Sequence, residues 1–296
     1  GAVELLNQED ERASLRQRVD AAVYISMVVG GYRISIYDPT LLVAASNRFR
    51  VEQALRRAID AGEFVLHYQP VVCLGRLETA GVEALLRWRQ SDSVILPAGE
   101  FISIAEQSGL MLDLNTWILD QAAKDVRSWR DAGWTNAKVA INVSAQQFIS
   151  GDFLGDVERL LALHGLPPDA IELELTENML QTGAITVETL RALRMMGIMT
   201  ALDDFGTGYS SLTSLERLPL SRVKLDRSVL AEVDSNPRAA SIANSIIALC
   251  RSLGLQVTIE GLERTSQLDF LSACGDVSVQ GYLVARPADA SEILDI

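Results

Sequence analysis

Between Phe64 and Gly281 the chain alternates between short apolar runs and longer amphipathic stretches. The apolar runs are Phe64 to Tyr68, Gly81 to Leu86, Lys138 to Val143, Ala170 to Leu175, Ile198 to Leu202, Arg222 to Leu225, Gln256 to Ile259 and Val277 to Gly281. Each has the length of a strand, and most are rich in Val, Ile and Leu, as strands covered on both faces require. Helix-length segments such as Phe101 to Gly109, Asn115 to Ala132 and Arg238 to Leu253 separate most of them. Eight strands alternating with helices predict an α/β fold, a TIM-like (β/α)8 barrel. The first two runs are too close for a crossover helix. They predict a hairpin, with the first strand antiparallel to its neighbours.

Upstream the pattern changes. Glu9 to Asp20 is charged and helix-like, Ala21 to Val29 is apolar, and Tyr32 to Tyr37 alternates as a short strand before Asp38-Pro39. Val51, Leu55 and Ile59 then recur at helical spacing, with Gly62 as a C-cap. The chain thus divides into an N-terminal extension, 1–47, and a barrel domain, 48–296. Gly1-Ala2 without an initial Met reads as the start of a piece cut from a longer protein.

Composition narrows the chemistry. The 296 residues are 48% hydrophobic and 22% charged, which describes a folded globular chain, and the net charge is −13. That charge argues against bulk binding to nucleic acid and against a basic anchor on anionic lipid. Cys73, Cys250 and Cys274 are too few and too far apart for a disulfide framework or a thiolate metal site, which fits a cytoplasmic setting. The apolar window Ala21 to Val29 is too short to span a membrane, so no membrane contact is expected within this chain.

A barrel does its chemistry where strands end in loops. At those ends stand Glu83 with Arg87, Asn142, Glu174 with Glu177, Asp203 with Asp204, Lys224 with Asp226, Glu260 and Gln280. Each has an ordinary reading: Asn142 as a helix N-cap, Glu177 as the start of a helix, Arg87 as a structural partner of Glu83, Gln280 as a loop residue. Gathered in one mouth, however, so many carboxylates need counter-ions, because an unpaired buried carboxylate costs several kcal/mol. With two histidines in the chain and no cysteine cluster, the donors are carboxylates and one amide, which suit Mg2+ or Mn2+ rather than zinc. Adjacent Asp203 and Asp204, in the glycine-rich turn Asp203-Asp204-Phe205-Gly206-Thr207-Gly208, suggest a pair of ions about 3.5 to 4 Å apart. Lys224 would add a cation beside an attacked phosphate. The four tryptophans and His67 read as packing residues.

Taken in order, Tyr68-Gln69-Pro70, Glu83-Ala84-Leu85-Leu86-Arg87-Trp88, Asn142-Val143-Ser144, Glu174-Leu175-Thr176-Glu177, Asp203 to Leu212, Lys224-Leu225-Asp226, Glu260-Gly261-Leu262-Glu263 and Gln280-Gly281-Tyr282 closely resemble the EAL domain, the bacterial cyclic di-GMP phosphodiesterase. The resemblance spans roughly residues 48 to 290 and implies a TIM-like barrel with an antiparallel first strand. It implies that Glu83, Asn142, Glu174 and Asp203 bind one metal and that Asp203, Asp204 and Glu260 contribute to the other. Lys224 would position a nucleophilic water with Gln280 nearby, and Glu177 would hold the loop after Asp203. Gln69, Leu85, Arg87 and Asp204 would hold the ligand. The implied reaction is hydrolysis of cyclic di-GMP to linear pGpG, inhibited by Ca2+, in a homodimer formed through the loop and helix near 203–217. Tyr37-Asp38-Pro39 and Arg48-Phe49-Arg50-Val51-Glu52 resemble the end of a GGDEF domain, which implies a GGDEF or sensory domain in the longer protein. Ser103, Gln146 and Val229 depart from the usual pattern, but none removes a catalytic group. A catalytically silent cyclic di-GMP receptor is the alternative. A Schiff-base aldolase built on Lys224 would leave the carboxylates unexplained.

Overall fold

The computed structural model describes residues 19–20, 23, 39–91, 94–149, 152–176, 179–180, 186–206 and 212–295. The strand expected at Tyr32 to Tyr37 and most of the helix expected from Glu9 lie outside them. The first continuous element, α1 (Pro39–Ala61), runs uninterrupted across positions 47 and 48. Its buried face, with Leu55 and Ala58 fully covered, joins the domain core.

Among the described residues ten strands form one sheet. They are β1 (Phe64–Cys73), β2 (Glu78–Ser91), β3 (Val94–Pro97), β4 (Val139–Asn142), β5 (Ile171–Thr176), β6 (Met199–Phe205), β7 (Arg222–Leu225), β8 (Gln256–Ile259), β9 (Ser278–Val279) and β10 (Ala288–Asp289). Eight of them close a ring in the order β1, β2, β4, β5, β6, β7, β8, β9, with β9 paired back to β1. β1 is antiparallel to both its neighbours, and the other ring pairings are parallel. The TIM-like barrel and its reversed first strand are therefore as the spacing predicted. β3 and β10 add antiparallel edges outside the ring, on β2 and β1.

Around the barrel lie α2 (Ile102–Gln107), α3 (Met111–Asp131), α4 (Ala145–Ile149), α5 (Phe153–His164), α6 (Val187–Met195), α7 (Leu212–Arg217), α8 (Pro237–Ser252) and α9 (Thr265–Ser272). Alternation along β5 shows how the layers divide. Leu173 and Leu175 join the apolar layer between strands and helices, while Glu172 and Glu174 face cations of β7 across the lumen. Trp88 packs on Phe64 and Phe101, and Trp129 stands edge-on to Tyr68 at 4.7 Å. The tryptophans thus serve the core, as expected. His67 sits on β1 opposite Asp289 at 3.3 Å, and all three cysteines are free. Among the described residues no helix is long and apolar enough to cross a membrane.

The loop after β9 passes close to that after β8. A methyl group on Gly281 would collide with the backbone of Leu262, whose amide donates to Gln280 O at 3.0 Å. Gly281→Ala must push apart the two loops that carry Glu260 and Gln280. It should cost about 3 kcal/mol in denaturant unfolding, and an unchanged midpoint would show that this contact yields freely.

Candidate active site

The expected carboxylates converge on one ammonium. Lys224, third residue of β7, is 2% exposed, and its Nζ stands 3.2 Å from Glu83 Oε2 on β2 and 2.8 Å from Glu174 Oε1 on β5. It is 3.2 Å from Asp203 Oδ1 on β6 and 2.7 Å from Glu260 Oε1 after β8. An ammonium carries three protons, so it cannot satisfy four carboxylates at once. Asp203 Oδ1 is buried and, among the described residues, accepts no hydrogen bond and has only the ion pair to Lys224.

Amides tie the ring together. Asn142, at the end of β4, donates Nδ2 to Glu83 Oε1 and Glu174 Oε2, each at 3.0 Å. Gln280 Nε2 donates to Glu83 Oε2 at 2.6 Å and to Gln69 Oε1 at 3.1 Å, and Gln69 in turn donates to Ala285 O at 3.0 Å. Asn142 therefore shows the carboxylates its nitrogen rather than the oxygen expected of a metal ligand. A half-turn of the amide exchanges the two atoms in the same volume.

The electrostatics follow from this crowding. Burial would lower the Lys224 pKa, but Glu174, Glu83, Asp203 and Glu260 outweigh it and hold the ammonium well above its ordinary value. Burial and the neighbouring charge of Glu83 push Glu174 well above the usual carboxylate range. Burial also pushes Glu260 up to about 7, with Lys224 opposing and Asp203 adding to the rise. For Glu83 burial acts upward, but Lys224, with hydrogen bonds from Gln280 and Asn142, holds its pKa below the ordinary value.

The adjacent aspartates need a backbone device. Neighbours on a strand point to opposite faces, so Asp203 and Asp204 could not share a site in regular β structure. The β6–β7 pairing shifts register between Leu202 and Phe205, and Asp204 adopts φ +57°. Asp tolerates this left-handed conformation better than most residues. The break brings ligand atoms of Asp203, Asp204 and Glu260 within 4.8 Å of one another. Asp204 is exposed, and burial, Asp203 and Asp226 together raise its pKa.

These donors fit hard divalent cations: oxygen ligands, an excess of carboxylate over ammonium, and a buried Asp203 oxygen without a hydrogen bond. A metal ion held by Glu260 would compete with the proton there. In the metal-free protein its raised pKa means that the folded state holds the proton between about 4.5 and 7, so its contribution to stability falls as pH rises across that window. Mg2+ should therefore raise the melting temperature little at pH 5.5 and much more at pH 8. An increment independent of pH would detach Glu260 from the metal.

The ring opens into a cleft of about 300 Å3 lined by Gln69, Glu83, Leu85, Asp203, Glu260 and Gln280, together with Arg227, Glu263 and Tyr282. Arg87 lies on β2 beyond Leu85, and its guanidinium donates to Leu86 O at 2.9 Å. Among the described residues it makes no ion pair with Glu83, although burial lowers its pKa and Tyr282 and Glu83 partly restore it. Sequence reasoning passed over Tyr282 as a site residue. Its half-exposed ring lies under the Arg286 guanidinium at 4.4 Å, and an aromatic residue directly after Gln280-Gly281 was the available signal. Asp226, expected at the rim, instead caps the turn after β7 by accepting from Ser228 N at 2.9 Å. Glu177 and residues 207–211 of the loop lie outside the described residues.

Comparison with known proteins agrees with this geometry. The chain is 36% identical over 284 residues to the bifunctional diguanylate cyclase/cyclic di-GMP phosphodiesterase MucR of Pseudomonas aeruginosa, covering 96% of this chain. It spans only 42%, 34% and 36% of the lengths of the first three curated relatives. A solved structure described as the PaMucR phosphodiesterase in complex with c-di-GMP superposes with a TM-score of 0.77 at 37% identity, covering 82% of this chain and 99% of that one. The EAL enzyme Bd1971, with cAMP and cyclic-di-GMP bound, gives 0.81 at 32% identity, covering 97% of this chain and 76% of that one. The model of the EAL domain matches residues 52–287, and the chain belongs to the EAL domain family.

Proposed function

We propose that this chain is a metal-dependent phosphodiesterase that opens one phosphodiester of cyclic di-GMP to give linear pGpG. The observation that carries the reading is the ring of Glu83, Glu174, Asp203 and Glu260 around the Lys224 ammonium, intact at the floor of an open cleft. Relatives of the same fold are named for this activity, and two of the solved structures above are named for bound cyclic di-GMP. Glu83, Asn142, Glu174 and Asp203 would hold one ion, and Asp203, Asp204 and Glu260 would contribute to a second. Bound Mg2+ or Mn2+ would polarise the phosphodiester and acidify a water.

The chain's own groups do the rest. In the metal-free protein the four carboxylates hold Lys224 protonated, and beside bound metal it would orient water or meet charge that develops on phosphate oxygens. Gln280 and Gln69 brace Glu83 through one connected chain of amides. Leu85 gives an apolar wall and Arg87 a cation near the cleft, fitted to a nucleobase and a phosphate respectively. Glu177 would hold the 203–212 loop, and a homodimer would form through residues 203–217. Residues 1–47 would be the end of a GGDEF domain in a longer, cytoplasmic or membrane-tethered protein.

Chromatography of cyclic di-GMP incubated with the protein tests this. Conversion to pGpG with Mg2+ or Mn2+, abolished by EDTA and inhibited by Ca2+, is expected, because the larger Ca2+ loosens the coordination. Ligand that binds but stays intact under all metal conditions would make the domain a receptor.

A further inference from the structure

The buried face of α3 carries Leu114, Ile118, Leu119, Ala122 and Val126, and between the first two of these stands one amide, Asn115, 2% exposed. The position is unfavourable twice over. Asparagine is a poor helix former, and a buried amide costs free energy unless it is hydrogen-bonded. An apolar side chain would suit both the helix and the core, so the amide calls for a partner that the fold needs.

That partner lies 29 residues on, where Asn115 Nδ2 donates to Ser144 Oγ at 2.6 Å. Ser144 is the second residue beyond Asn142, in the turn that joins β4 to α4, and its carbonyl accepts from Gln147 N at 3.1 Å. Between Asn142 and Ser144, Val143 is buried and donates its amide to Glu174 O at 3.1 Å. The end of β4 is therefore tied to β5 through Val143 and to the helical layer through Ser144. Asn142 depends on these ties. It is exposed, so the backbone beneath it, rather than packing around it, places its amide over Glu83 and Glu174. Exchanging its nitrogen for its oxygen is a rotation about the Cβ–Cγ bond, and both atoms address the same point only while Cβ stays still.

We propose that Asn115 is a positioning residue that, through Ser144, fixes the end of β4 so that the Asn142 amide can serve a divalent ion held with Glu83 and Glu174. The inference rests on the metal reading above and extends it to a residue in the helical layer. Removing a group that orients a metal ligand typically weakens metal affinity or activity by about 10- to 100-fold.

The test is calorimetric titration with Mg2+ of Asn115→Leu, Ser144→Ala and the two combined, with melting in EDTA and turnover of cyclic di-GMP measured on the same samples. Each single variant should weaken Mg2+ about tenfold or more and lower kcat, while leaving KM nearly unchanged. The combined variant should do little more than either alone, because both changes remove one bond. Ser144→Thr, which keeps the hydroxyl, should bind Mg2+ like the parent. A bond that only braces the core would give variants that melt lower in EDTA but bind Mg2+ and turn over, per folded molecule, as the parent does, and that result would overturn the inference. Ser144 is half-buried, so Ser144→Ala carries the test alone if Asn115→Leu does not fold. Failure of the metal reading looks different: the parent itself would bind no Mg2+, and both would fall.

Discussion

Lys224→Met should fold poorly without metal and bind Mg2+ more tightly than the parent protein, yet turn over cyclic di-GMP at least about 100-fold more slowly. Four carboxylates lie within 3.2 Å of this ammonium, and breaking a buried ion pair from one side typically costs about 3 to 5 kcal/mol. The methionine fills similar space but leaves the carboxylates facing one another. External cations then become the only relief, so their affinity rises. Catalysis still suffers, because no ammonium remains to orient water or meet the developing charge. Calorimetric titration with Mg2+, melting in EDTA and a turnover assay separate the three effects. Weaker Mg2+ binding by the variant would mean that Lys224 organises the ligands rather than competing with metal.

Asp204→Asn should show the opposite stability behaviour with a comparable loss of function. Burial, Asp203 and Asp226 all disfavour the ionised Asp204 side chain, and asparagine tolerates φ +57° at least as well. The metal-free protein should therefore melt slightly higher than the parent. Its Mg2+-induced rise should shrink, and turnover should fall by roughly 1,000-fold or more, as a second ion would lose a ligand. This is the usual exchange of stability for function at a charged site. A variant that melts lower in EDTA would show that Asp204 is held by attraction rather than strained by repulsion.

Much of this was legible in the sequence for a physical reason. Strand-length apolar runs separated by amphipathic helices leave few ways to bury both faces of a sheet, and the short Phe64 to Leu86 interval excluded a helical crossover. The site followed because carboxylates on successive strand ends cannot be explained by packing. Other features depended on register and rotamer, which composition does not encode. Asp226 stands one loop position past its strand and turns back to cap Ser228 instead of joining the ring. β3 and β10 are edge strands whose pairing depends on what neighbours them in space.

The sequence by itself determined the barrel, the reversed first strand and which carboxylates stand at the strand ends, from which a hard cation is proposed, because hydrophobic period and ligand type are local properties. Only the tertiary structure decided that Lys224 stands at the centre of the ring rather than at its edge. It also decided that a register break turns Asp203 and Asp204 toward one rim, and that Arg222 closes the lumen below them on Glu172. Those outcomes depend on how strands far apart in the chain stagger against one another as the barrel closes, and no run of neighbouring residues contains that stagger.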